Sequence, residues 1–192
     1  MVNLLIDPLP DTIEASGRST PIRTDFKIGI MMDALIRDKN LSGKETVRAM
    51  LNLYLEKLPE DVPQAIDGIL DFFACGKAKK RGDESGSSAK RNAFSYEYDA
   101  GHIAAAFIAQ YGIDLFECDM HWHKFIALFK ALTEENQIIK IIGYRSANLA
   151  EIKGRAEKDR IARLQALYAL PEEYAGVSSE EIAGQLFGGG LF

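Results

Sequence analysis

Apolar side chains recur at intervals of three and four residues along most of this chain, and the elements this pattern predicts are helices. The clearest case is residues 94–132, FSYEYDAGHIAAAFIAQYGIDLFECDMHWHKFIALFKAL, which hold the only Trp and all three His. Ile103, Ala106, Phe107 and Tyr111 share one apolar face. Asp99 is placed to cap that helix, and Gly112 to stop it in a left-handed conformation. Trp122, Phe125, Ile126, Phe129 and Leu132 form a second stripe after a short acidic connection. The two helices predict a hydrophobic centre in which Phe107 and Trp122 face each other. Phe107, Tyr111, Trp122, Phe125 and Phe129 are therefore the candidate core or partner-binding residues.

Three more helices are expected before this pair. Thr24 is a suitable N-cap for one that carries Phe26, Ile30, Met31, Ala34 and Leu35. Ser42 and Glu45 form a capping-box pattern ahead of Val47, Met50, Leu51, Tyr54, Leu55 and Leu58. Asp61 and Pro63 open a third, which buries Ile66, Ile69, Leu70 and Phe73 and stops near Gly76. Upstream, Pro8, Pro10, Gly17 and Pro21 exclude a long helix from residues 1–23. Residues 12–15 and 20–23 flank the turn-like Ser16-Gly17-Arg18-Ser19, a short hairpin pattern.

Downstream, Thr133 and Glu134 open a helical stretch whose Ile138, Ile139, Ile141 and Ile142 also suit a strand. Residues 147–170 read as a charged helix. Glu151–Arg155 and Arg155–Asp159 stand at i,i+4, and Leu149, Ile152, Ala156, Leu164 and Tyr168 make an intermittent stripe. Pro171 ends it.

Two segments break the pattern. Residues 77–92, KAKKRGDESGSSAKRN, contain no large apolar side chain to offset the entropy of ordering them. Six basic residues against Asp83 and Glu84 make the segment basic, and it is expected to be a mobile loop. Its GSSAK lacks the spacing of a phosphate loop. Residues 171–192 have four Glu and no Lys or Arg. There Ile182, Leu186, Phe187, Leu191 and Phe192 sit in a Gly-rich acidic tail, and they are candidate contacts for a partner. The organisation expected is an extended segment or hairpin over 1–23, a single mainly α-helical domain over 24–170, and the tail.

Composition then narrows function. A formal charge of −5 argues against a dedicated nucleic-acid binder. No run approaches the roughly 20 apolar residues a membrane span needs, and the N-terminal stretch lacks the basic region of a signal peptide. Cys75 reads as a buried thiol, and Cys118 lies between two carboxylates, so neither a disulfide nor a thiolate site is expected. Cys118, Asp119, His121 and His123 have zinc-ligand chemistry. On a helix, however, the two His point about 200° apart, so they read as interface or surface histidines and no metal or cofactor is expected. Phe94, Tyr96 and Tyr98 alternate along what reads as a short extended segment, packed over the Trp122 helix. The carboxylates are explained by capping and solvation, no nucleophile elbow occurs, and a non-enzymatic protein is expected.

The order of these motifs resembles that of the bacteriophage gene-product-fifteen family, small proteins of tailed phages and prophages. The resemblance runs over about residues 9–170. It is carried by Thr24-Asp25-Phe26-Lys27, by Tyr96-x-Tyr98-Asp99 with Ile103 and Ala105-Ala106-Phe107, and by Tyr111-Gly112-Ile113-Asp114-Leu115. His121-Trp122-x-Lys124-Phe125, Leu128 to Leu132 and Arg145 complete it; His123 stands where an aromatic residue is expected. The resemblance implies a tail-morphogenesis factor acting in the host cytoplasm during assembly, a chaperone that covers the apolar stripes of the tape-measure protein. A structural tail or tail-completion component kept in the virion is the alternative, and a host-directed binding module a further one. Self-association is compatible with all three. The resemblance supplies no catalytic residues.

Overall fold

The computed structural model describes residues 6–76, 93–172 and Tyr174. The expected loop at 77–92 and the tail contacts Ile182, Leu186, Phe187, Leu191 and Phe192 lie outside the described residues. Among those described, the architecture is mainly α: seven helices and one two-stranded antiparallel hairpin. They fall into two compact units, and residues 24–170 contribute to both. Of the described residues, the first unit comprises 6–76 with 119–127, and the second 93–118 with 128–172 and Tyr174.

The first unit starts with β1 (Thr12–Ala15) and β2 (Arg18–Pro21), paired from Thr12↔Pro21 to Ala15↔Arg18. The turn is shorter than expected. Ser16 and Gly17 alone form it, both with positive φ (55° and 68°), the conformation a two-residue hairpin turn requires. The second strand therefore begins at Arg18 and not at Thr20. Its polar composition hid it from the apolar pattern. The alternation along β1 buries Ile13 and Ala15 against α3.

α1 (Phe26–Arg37), α2 (Gly43–Tyr54) and α3 (Val62–Phe73) follow. The Ser42–Glu45 capping box forms in full, and Asp61 accepts a hydrogen bond from the Gln64 N–H. On α1 two expectations are corrected. Its cap is Asp25, whose carboxylate accepts from the Lys27 N–H, so Thr24 lies one residue outside. Its buried face is Phe26, Gly29, Met32, Asp33 and Ile36, while Met31 and Ala34 are exposed. An apolar count cannot find a face that turns on a glycine and an aspartate. Asp33 is accommodated by the Arg37 guanidinium one turn later at 3.0 Å. Leu58, assigned to the α2 face, is exposed beyond the helix end.

In the second unit α4 (Ala100–Tyr111) packs on α6 (Gln137–Ser146), and α6 on α7 (Arg155–Leu167). Gly112 ends α4 at φ 66° as expected. The isoleucines of α6 are helical, with Ile138 and Ile141 fully buried, which removes the strand alternative. α7 starts at Arg155, after Gly154 at φ 96°. Glu151 therefore precedes the helix and accepts from Asn148 instead of facing Arg155. Tyr96 to Asp99 form a turn and not an extended segment. α5 (Trp122–Lys130) gives its residues through Ala127 to the first unit and those from Leu128 to the second.

Candidate functional site

The chemistry-bearing residues collect in two polar clamps, one in each unit. The first is His121-Trp122-His123 at the start of α5. Met120 and Trp122 pair with the α1 entry through backbone bonds, Phe26 N–H to Met120 C=O at 2.8 Å and Trp122 N–H to Thr24 C=O at 2.7 Å. These bonds turn three successive rings toward three carbonyls. His121 Nε2 lies 2.9 Å from the Pro10 oxygen, the Trp122 indole N–H donates to the Phe73 oxygen at 2.8 Å, and His123 Nε2 lies 2.7 Å from the Phe72 oxygen. A carbonyl only accepts, so each imidazole carries its proton on Nε2. His121 Nδ1 in turn accepts the His123 backbone N–H at 3.1 Å.

Aromatic packing completes this clamp. Trp122 is 2% exposed and stacks on Phe73 with centroids 5.3 Å apart and planes 5° from parallel. Phe125 stacks on Phe26 at 5.1 Å. Gly29 lets the indole approach α1: a Cβ there would stand 2.2 Å from Trp122 Cε3.

His123 is buried, contrary to the surface or interface setting expected, and lies flat on Phe72 at 4.7 Å. A ring is wanted here for packing, which is how a histidine occupies an aromatic position. Burial pushes its pKa below the usual 6.5, with a smaller push from His121, while the Phe72 carbonyl and Asp71 oppose the shift. The 200° divergence of the two histidines does not apply either, because the helix begins at Trp122. Their rings stand 5.1 Å apart at right angles, each held by its own carbonyl. Cys118 is half-buried, and no group of three or more His, Cys, Asp or Glu is gathered for a metal among the described residues. Cys75 is half-buried, not buried, with φ 55°.

The second clamp is Asp99 with Arg145. Asp99 stands at the N-cap of α4, but its carboxylate does not cap the helix. It accepts from Arg145 Nη1 at 2.6 Å and Nη2 at 3.0 Å, and from the Ser95 N–H at 3.0 Å. Arg145 also donates to the Ala93 and Tyr168 carbonyls. The pair is buried, with side chains 1% and 7% exposed. One guanidinium thus ties the 93–99 turn, α4, α6 and the end of α7 together. No local signal reveals a partner 46 residues away; both residues nonetheless belong to the motif order that carries the family resemblance.

Gln110 is a third polar hub that the sequence does not announce. It donates to the Ala131 carbonyl and accepts from Thr133 and Asn136, holding the connection into α6. The Tyr111 hydroxyl donates to the Leu128 carbonyl at 2.9 Å.

The predicted aromatic residues are therefore placed as follows. Trp122 and Phe125 lie in the first unit's core. In the second unit Phe107 is fully buried, Tyr111 is half-buried against it at 5.6 Å, and Phe129 packs on Phe94 at 5.0 Å. Four of the five are thus buried, and Tyr111 is half-buried. An open hollow on α7, lined by Ala156, Asp159, Arg160, Arg163 and Leu164, lies along one helix.

The two clamps join residues scattered through the chain, from the Pro10 carbonyl to that of Tyr168. A sequence profile for the Bacteriophage Gp15 protein matches residues 5–170, a span that contains both clamps. The chain belongs to that family. No curated protein and no solved structure matches it. For this Gp15-family chain, Trp122, Asp99 and Arg145 are residues that hold the fold. No helix among the described residues is long and apolar enough to cross a membrane.

Proposed function

We propose that this chain is a non-enzymatic factor of phage tail morphogenesis, a chaperone that holds the tape-measure protein until the tail tube encloses it in the host cytoplasm. Membership of the Gp15 family over residues 5–170 carries the reading. A helical body is suited to the task, because a long helical client exposes apolar stripes that another helix can cover. The net charge of −5 supports the reading by keeping such a complex dispersed.

Mass spectrometry of purified virions tests it against the alternative of a retained tail component. A chaperone is absent from the particle, although particles made without it lack tails. Detection at a fixed ratio to the tail-tube subunit would replace the chaperone reading with the structural one.

A further inference from the structure

We infer that the outer face of α4, with Phe116 beyond its end, docks an apolar helix stripe flanked by Lys or Arg. α4 has the sequence AGHIAAAFIAQY, with no charged residue in twelve. With only His102, Gln110 and Tyr111 bearing polar side-chain atoms, such a helix is apolar over most of its circumference, which favours burial. This one buries only Ile103, Ala104, Ala106 and Phe107. Gly101, Ala105, Ile108 and Ala109 face solvent, with His102 at the edge of that face and Ile108 at 49% exposure. At about 100° per residue, Gly101, Ala105 and Ile108 fall within an arc of roughly 60°. Small residues on that arc allow a second backbone to come close.

Past Gly112 the chain presents Phe116 at 79% exposure. Its N–H is held by the Asp114 carboxylate at 2.9 Å. A phenyl ring left in water four residues beyond α4's capping glycine is the kind of aromatic anchor that carries binding energy when a partner buries it.

Charge selects the occupant. Asp114 and Glu117, on either side of Phe116, are exposed. With Glu97, also exposed, they give residues 93–118 three exposed carboxylates and no Lys or Arg, Asp99 being paired with Arg145. A partner with basic residues beside its stripe is attracted, and an acidic one repelled. A second copy meeting this face through a two-fold axis would set the same carboxylates against each other, which disfavours self-docking.

The inference rests on the proposed function only for the identity of the partner. Its test uses the full chain and a synthetic three-heptad helix with a Leu/Ala stripe flanked by Lys, followed by fluorescence anisotropy. Ile108→Asp and Phe116→Ser should each weaken binding at least tenfold while circular dichroism stays unchanged. Leu167→Asp, on exposed α7, should leave it intact, and a Glu-for-Lys peptide should bind at least tenfold more weakly. Failure of the Lys peptide to bind, unchanged affinity in both variants, or wild-type self-association that Ile108→Asp abolishes would overturn the inference. Peptide binding without co-purification of the tape measure would defeat the functional reading alone. Equal co-purification of the tape measure with wild type and Ile108→Asp would defeat the surface alone.

Discussion

Gly29 shows how much one missing atom can decide. In an ordinary exposed helix, Gly→Ala stabilises by up to about 1 kcal/mol through backbone entropy. Here the new Cβ would meet three atoms of the Trp122 ring at 2.2–2.6 Å. That ring is stacked on Phe73 and bonded to the Phe73 carbonyl, so it has no free direction in which to yield. Overpacking should win, and Gly29→Ala should destabilise the chain by about 1–3 kcal/mol in urea titrations. Unchanged or raised stability would show that the indole is not clamped.

His123 makes a second residue-scale prediction. Its folded pKa lies below its unfolded value of about 6.5. The neutral ring therefore adds stability that is complete above about pH 6.5 and is lost as pH falls through the lower folded value. His123→Phe keeps the stacking on Phe72 but leaves that carbonyl without its donor. The variant should lose about 1–3 kcal/mol at pH 7.5 and show a shallower fall in stability between pH 7 and 5. Parallel wild-type and variant pH curves would contradict this account.

At the scale of elements, helices with local punctuation were the most legible. Ser42, Glu45, Asp61 and Gly112 act within a few residues of themselves, and each sits where its chemistry predicts. Asp99 shares that sequence signal but has a different use, because Arg145 is delivered to it by packing of α6. The α1 face departs from its apolar pattern for a related reason: Gly29 and Asp33 are buried by what reaches them, Trp122 and Arg37, and not by their own hydrophobicity. The two-residue length of the hairpin turn is set by the positive φ of Ser16 and Gly17, and Arg18, Ser19 and Thr20 carry no apolar alternation that would signal it.

The Asp99–Arg145 pair should behave as a unit. Asp99→Asn strands a buried guanidinium and should cost about 3–5 kcal/mol. Arg145→Met should also be costly, because the Ala93 and Tyr168 carbonyls lose their donor. The double variant should cost less than the sum of the two, by about 0.5–3 kcal/mol in a double-mutant cycle measured in urea. Additive losses would mean that the two side chains act independently.

At the scale of the whole molecule, the residues with most chemical character are spent on cohesion. His121, Trp122 and His123 hold the first unit by bonds to distant carbonyls, and the Asp99–Arg145 pair and Gln110 hold the second. The sequence announced the motif order because those residues are chemically distinctive. It did not announce their pairings, which depend on packing at separations of 21 to 111 residues. What remains for the proposed partner is exposed apolar surface, such as Ile108 and Phe116.

The central claim is that this chain keeps a tape-measure protein from aggregating. It is tested most directly by the fraction of tape measure left in the supernatant when the two proteins are co-expressed, against the tape measure expressed alone. The account predicts that the tape measure is pelleted alone and that co-expression moves most of it to the supernatant, eluting with this chain as one complex. A tape measure that stays in the pellet beside abundant folded partner would contradict it.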